Sequence, residues 1–284
     1  MKRRLIVLAF AAAAFFAGIY FQHRWPIGRL LHGSHDHPTP APVTLADLAQ
    51  LTPTRRLVLV VAGQSNAANY GATRRAAGAG VYAFANQRVY VAIDPLPGAD
   101  GAGGSIWSRL GAKLMLTGRY DAILIATVAQ GSTRAEDWAP GGRLHRQLTA
   151  TLEQLSAAGL PANFLLWQQG ESEAASATAS GRDYTIALRE LLGSVRAGSP
   201  ALTFVAADST YGASATINDQ IRQAQRALAR LPGAIAGPNL DDLGEAFRRD
   251  GIHFNDRGLS AAAELWFQAL QPALPQASGK PPAT

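Results

Sequence analysis

The sequence predicts a three-layer α/β/α domain built on a mostly parallel sheet. Two observations lead there. Short apolar runs alternate with stretches of helical period along the middle of the chain, the order expected when crossover helices link parallel strands. The runs are also continuously apolar, rather than apolar at every second residue, which is the pattern of strands covered on both faces.

The first strand is Leu57–Ala62, and it stops at a tight polar corner, Gly63-Gln64-Ser65-Asn66. Gly63 lacks a Cβ, so the chain can turn sharply and a substrate can approach the backbone. A second strand is expected over Arg88–Ile93, and Gly103-Gly104 then leads into a helix over Ser105–Leu116. The third strand, Ala122–Ala129, ends at Gln130-Gly131-Ser132-Thr133 and is followed by a helix over Gly142–Ala158. The fourth, Asn163–Gln168, ends at Gln169-Gly170-Glu171, with a helix over Asp183–Arg196. Thr203–Ala207 is the fifth strand, followed by helices over Ala215–Leu231 and Asp256–Leu270. Sites in such sheets form at the carboxyl ends of the strands, so the three polar corners are expected on one edge. The chain shows no internal repeat.

The chain has 284 residues, of which 48% are hydrophobic, enough for a sizeable core. It has no cysteine, which excludes disulfides, zinc-thiolate sites and a thiol nucleophile. The formal net charge is +6, but residues 1–40 hold five basic residues against Asp36, which leaves +2 for the rest. No basic stripe argues for nucleic acid.

Lys2-Arg3-Arg4 precedes an uncharged run of 17 residues, Leu5 to Phe21. That length lies between a signal peptide and a spanning helix. Phe15 and Phe16 spoil the nearest cleavage sites, and Tyr20 and Trp25 suit a membrane interface. Residues 1–21 are therefore expected to be an uncleaved anchor, with a cleaved signal as the alternative. The basic cluster places the N-terminus in the cytoplasm and the domain outside, at the cell surface or in the periplasm. Residues 22–50 read as a linker, and the three histidines at 32, 35 and 37 within it read as solvated rather than metal-binding. The domain is expected over 51–273, with a disordered tail over 274–284.

The chemistry comes from one pairing. Ser65 sits directly after a buried strand, and Asp250-Gly251-Ile252-His253 lies near the end of the chain. A serine hydroxyl needs a base to take its proton, a histidine is suited to neutral pH, and a carboxylate orients that histidine. Of six histidines, four precede the domain, and His145 reads as the polar side of a helix, which leaves His253 as the base. Trp107, Trp138 and Trp167 read as packing residues rather than sugar platforms.

Taken together, Gly63-Gln64-Ser65-Asn66, Gly103-Gly104-Ser105, Gln130-Gly131-Ser132-Thr133 with Trp138, Trp167-Gln168-Gln169-Gly170-Glu171, and Asp250-x-x-His253 resemble the blocks of the SGNH hydrolase superfamily. Within it the chain is most similar to the sialate O-acetylesterase and acetylxylan esterase branch, carbohydrate esterase family six. The resemblance covers residues 55–270. It implies a flavodoxin-like sheet and a triad of Ser65, Asp250 and His253. It also implies oxyanion donors from Ser65 N–H, Gly104 N–H and the Gln169 side chain, with Gln64, Asn66, Gly131, Ser132 and Glu171 in support. Gln168 stands where the branch often carries histidine.

The expected function is a serine carboxylic-ester hydrolase that deacetylates carbohydrate through an acetyl-enzyme on Ser65, with no metal or organic cofactor. An O-acetyltransferase at the same site and a catalytically inactive glycan-binding module are the alternatives. The expected partners are an acetylated carbohydrate or another small ester and, through the N-terminal segment, a membrane.

Overall fold

The computed structural model describes residues 42–43, 55–212 and 217–274. The anchor expected over 1–21 lies outside these residues, as does the tail expected over 274–284 except for Leu274, which is buried in the core. Among the described residues, no helix is long and apolar enough to cross a membrane.

The strands are β1 (Pro42–Val43), β2 (Arg56–Gly63), β3 (Val81–Ala85), β4 (Arg88–Val91), β5 (Ala122–Ala129), β6 (Phe164–Gln168), β7 (Thr203–Asp208) and β8 (Ala234–Asn239). The helices are α1 (Ile106–Leu116), α2 (His145–Ala157), α3 (Glu171–Ala174), α4 (Gly181–Gly198), α5 (Asp219–Leu228) and α6 (Asp256–Leu270). The strands form one sheet in the order β1-β4-β3-β5-β2-β6-β7-β8. From β5 to β8 the order is the doubly wound, flavodoxin-like one, and every pair from β3 to β8 is parallel. The β3–β4 hairpin and β1 extend the far edge with antiparallel pairs.

Two of these elements correct the sequence reading. Pro42–Val43 falls within the expected linker but pairs with Val89–Tyr90 as an edge strand, a place where a proline is tolerated because one side of the strand needs no N–H. Arg88–Val91 is a strand, but an antiparallel one near the edge rather than one of the buried parallel set. Strands β3 and β8 were not expected at all.

Layering follows from alternation along β2. Val58, Val60 and Ala62 face the core under α2, α4 and α5, while Leu57, Leu59 and Val61 face the core under α1 and α6. All six are buried, so the strand is apolar on both faces. Trp107, Trp138 and Trp167 are fully buried as packing residues, with Trp138 edge-on to Trp167 at 5.4 Å. His145 lies at the start of α2, where its Nε2 is 2.8 Å from Ser194 Oγ of α4.

Register fixes where the chemistry can sit. Gly63 of β2 pairs with Ala129 of β5 and with Gln168 of β6. The residues that follow, Gln64-Ser65, Gln130-Gly131 and Gln169-Gly170, therefore leave the sheet side by side at its carboxyl edge.

Candidate active site

The corner after β2 depends on Gly63. Its φ is +146°, and a Cβ there would stand 2.0 Å from the Gln168 carbonyl oxygen, so only glycine fits. The Gln64 N–H donates to that same carbonyl at 3.2 Å, tying the corner to β6. Ser65 opens a single 3-10 turn, Ser65–Ala67, and is itself largely buried.

The second component is the turn that precedes α6. Asp250 Oδ1 accepts the backbone N–H groups of Ile252 at 3.1 Å and His253 at 2.7 Å, and Asp250 Oδ2 lies 2.8 Å from His253 Nδ1. With Nδ1–H donating to the carboxylate, His253 Nε2 is left as an acceptor. Burial works to raise the Asp250 carboxyl, but the bonds from the His253 ring and backbone outweigh it and hold the group well below the usual carboxylate range. Tyr70 stacks on the imidazole, with ring centroids 5.1 Å apart and planes 20° from parallel.

Asn66 joins the two components. Its Nδ2 donates to Glu171 Oε1 at 2.9 Å and to the Ile252 carbonyl at 3.3 Å. The structure thus brings Asp250 and His253 into direct contact and sets the Ser65 corner beside them. Ser65 Oγ and His253 Nε2 themselves share no hydrogen bond here, and such contacts often tighten only when substrate binds.

Glu171 is a support for the corner, not a partner of His253. Its Oε1 also accepts from Ser209 Oγ at 3.0 Å, while Oε2 is buried with no partner. Burial pushes this carboxyl up to about 7 despite the bonds from Asn66 and Ser209. Gly131 donates its N–H to both oxygens of Asp100, at 3.1 and 3.0 Å, and Asp100 also accepts from Tyr70. Ser132 is exposed on the same loop with a left-handed φ of +59°.

Two expected oxyanion donors are not available. The Gly104 N–H donates to the Gly71 carbonyl at 2.9 Å, and Gly71 returns the bond. This two-way bridge draws the Gly104 backbone against residues 71–73, so close that a Cβ on Gly104 would meet the Thr73 oxygen at 1.7 Å. The Gln169 side chain is fully buried, and its Nε2 is bonded to Gln64 Oε1, the Thr133 carbonyl and Glu173 Oε2. Of the three expected donors the Ser65 N–H is left, and Gly101 adds one that was not expected. The N–H groups of Ser65 and Gly101 have no acceptor among the described residues. Gln64 Oε1 is held by Gln169 Nε2, Gly170 N–H and Ser172 N–H, which turns Gln64 Nε2 away from them.

Tyr70, Asp100, Ser209 and Arg248 also belong to this edge, and none was singled out in the sequence. A tyrosine five residues after Ser65 and an arginine two residues before Asp250 carry no periodic signal; only tertiary packing gives them a place.

A serine after β2 and a hydrogen-bonded aspartate–histidine pair on the carboxyl edge of a flavodoxin-like sheet are the arrangement of the SGNH hydrolase fold. Residues 55–271 match the family described as carbohydrate esterase, sialic acid-specific acetylesterase. The chain belongs to that family and is a carboxylic-ester hydrolase. Among solved structures, it resembles a protein from Arabidopsis thaliana with a TM-score of 0.63 at 18% identity, covering 78% of this chain and 99% of that one. It resembles NanS with a TM-score of 0.55 at 15% identity over 78% and 98% of the two chains. A lipase/acylhydrolase from Enterococcus faecalis follows with a TM-score of 0.51 at 9% identity over 78% and 99%. At these identities the likeness is one of fold. No curated protein matches the chain.

Proposed function

We propose that the protein removes O-acetyl groups from carbohydrate by way of an acetyl-enzyme on Ser65. The observation that carries this reading is the double grip of Asp250 on His253, which presents Nε2 as a base beside the Ser65 corner.

Ser65 Oγ bonds to the acetyl carbonyl carbon as His253 Nε2 takes its proton. The tetrahedral intermediate collapses, the bond from carbon to the sugar oxygen breaks, and His253 returns the proton to that oxygen. Water then attacks the acetyl-enzyme by the same route, releasing acetate and free Ser65. Negative charge on the carbonyl oxygen is met by the Ser65 and Gly101 N–H groups and by Gln64 Nε2, the donors not already engaged. A preorganised donor of this type typically contributes ~3–4 kcal/mol to the transition state. The carbohydrate substrate is supported by the family match.

We also propose that residues 5–21 anchor the chain in a membrane, with the catalytic domain outside the cytoplasm. The basic Lys2-Arg3-Arg4 cluster ahead of the uncharged run supports this.

The test is release of free acetate from acetylated sialic acid and acetylated xylan, alongside hydrolysis of p-nitrophenyl acetate. Free acetate without an added acceptor separates hydrolase from acetyltransferase. Loss of all three activities in Ser65→Ala supports the mechanism, and wild-type rates in that variant overturn it.

A further inference from the structure

Arg248 is a charged residue in an apolar setting. Its side chain is packed between two aromatic rings, 3.9 Å from the centroid of Phe254 and 4.8 Å from that of Tyr211, and the residue is only 8% exposed. A methionine or leucine could fill such a slot without the cost of burying a charge. What neither could do is bond the carbonyls around it. Arg248 Nε donates to Leu243 O at 3.0 Å, Nη2 to Leu240 O at 3.2 Å, and Nη1 to Ile252 O at 2.8 Å. The planar fork of a guanidinium suits donation in several fixed directions at once.

The Ile252 carbonyl is the informative one. It directly precedes His253, and its other donor is Asn66 Nδ2, one residue after Ser65. A single oxygen is therefore the meeting point of the nucleophile corner and the base turn. Arg248 holds it from the side of β8, through Leu240 and Leu243, and Asn66 holds it from the side of β2. Glu171 fixes the other side of Asn66, and the charges of Glu171, Asp241 and Asp250 act on Arg248.

We propose that Arg248 is a positioning residue, which sets the reach of His253 toward Ser65 by fixing the Ile252 carbonyl. The proposal rests on the triad reading above. It assigns Arg248 no contact with substrate. Its effect is on geometry, and a misplacement of about 1 Å can lower a rate by about 10²-fold.

The test uses the full chain and p-nitrophenyl acetate, with Ser65→Ala as the control. Arg248→Lys keeps the charge but loses the three-way fork. The expected result is a kcat lower by at least about tenfold with KM within about twofold of wild type, the split that marks a lost transition-state geometry. The downfield proton signal of His253 Nδ1–H, bonded to Asp250, should broaden or move, while thermal unfolding stays cooperative. Should Arg248→Lys fail to fold, Tyr211→Leu removes one ring from the guanidinium and leaves its hydrogen bonds. That variant should lose several-fold in kcat with the same change in the His253 signal. Wild-type kcat in a folded Arg248→Lys or in Tyr211→Leu overturns the proposal. So does a loss that merely follows the folded fraction while the His253 signal stays unchanged. If Ser65→Ala itself turns over at the wild-type rate, the triad reading falls and takes this proposal with it; a dead Ser65→Ala beside a fully active Arg248→Lys removes the proposal alone.

Discussion

Asp250 holds His253 at two points: Oδ2 lies 2.8 Å from the ring Nδ1, and Oδ1 accepts the backbone N–H at 2.7 Å. One carboxylate therefore sets both the tautomer of the imidazole and the conformation of the turn that carries it. A carboxylate reaching from elsewhere in the fold would set the first without the second.

This double grip makes Asp250 and His253 alike in their effect on turnover. Asp250→Asn keeps the backbone bond and reverses the tautomer preference, so kcat should drop by up to ~10⁴. His253→Ala should be comparably inactive. Both proteins should unfold cooperatively near the wild-type temperature. Steady-state hydrolysis of p-nitrophenyl acetate beside a thermal melt checks this, and an Asp250→Asn enzyme with most of its kcat would move the acid elsewhere.

Glu171 should act on stability, with a definite sign in pH. Burial raises its carboxyl from the usual 4.5 to about 7 in the folded chain. The folded protein then keeps a proton that the unfolded chain gives up between those values, so stability falls as pH rises through that window. The loss above pH 7 is on the order of 3 kcal/mol. Glu171→Gln imitates the protonated carboxyl and should unfold at higher urea than wild type at pH 8, with little difference at pH 4. It should also keep far more kcat than Asp250→Asn. Parallel urea midpoints for the two proteins across this range would mean that Glu171 does not keep its proton in the fold.

Ser132 carries a left-handed φ of +59° with its side chain exposed. A non-glycine residue there costs roughly 1–2 kcal/mol, and replacing it by glycine returns part of that through the freer unfolded chain. Ser132→Gly should therefore raise stability by a net of about 0.5 kcal/mol, read as a higher urea midpoint at unchanged slope. A lower midpoint would mean that the Ser132 side chain holds the loop.

The pairing of β1 with β4 places Pro42–Val43 in the sheet, so a truncated chain should keep them. Residues 41–284 should fold and hydrolyse aryl esters, because every described strand is retained, whereas the full chain should partition into membranes. A full chain that stays in the aqueous phase after extraction from its host, with its N-terminus intact, would remove the anchor.

What the sequence made legible and what it hid divide along one physical line. Leu57–Ala62 and Ala122–Ala129 could be read because strands buried on both faces are continuously apolar. Val81–Ala85 follows a glycine-rich stretch and is partly alternating, and Ala234–Asn239 contains Gly237 and Pro238, breakers that an edge strand tolerates. Asp250 and His253 were legible because three residues of turn suffice to join them. Gly104 and Gln169 look like free donors in the sequence, because Gly71, Thr133 and Glu173, which take up their N–H groups, come near only in the fold. Arg248, followed by Arg249, has the look of a surface charge until Tyr211 and Leu240 close around it.

Whether Ser65 forms the covalent intermediate is read out by fluorophosphonate labelling followed by mass spectrometry of the peptides. One phosphonyl adduct is expected, on the peptide carrying Gly63-Gln64-Ser65-Asn66. Labelling should be slowed by orders of magnitude in His253→Ala and absent in Ser65→Ala. An adduct on another serine, or labelling of Ser65 at the same rate with His253 removed, would contradict a nucleophile role for Ser65 activated by His253.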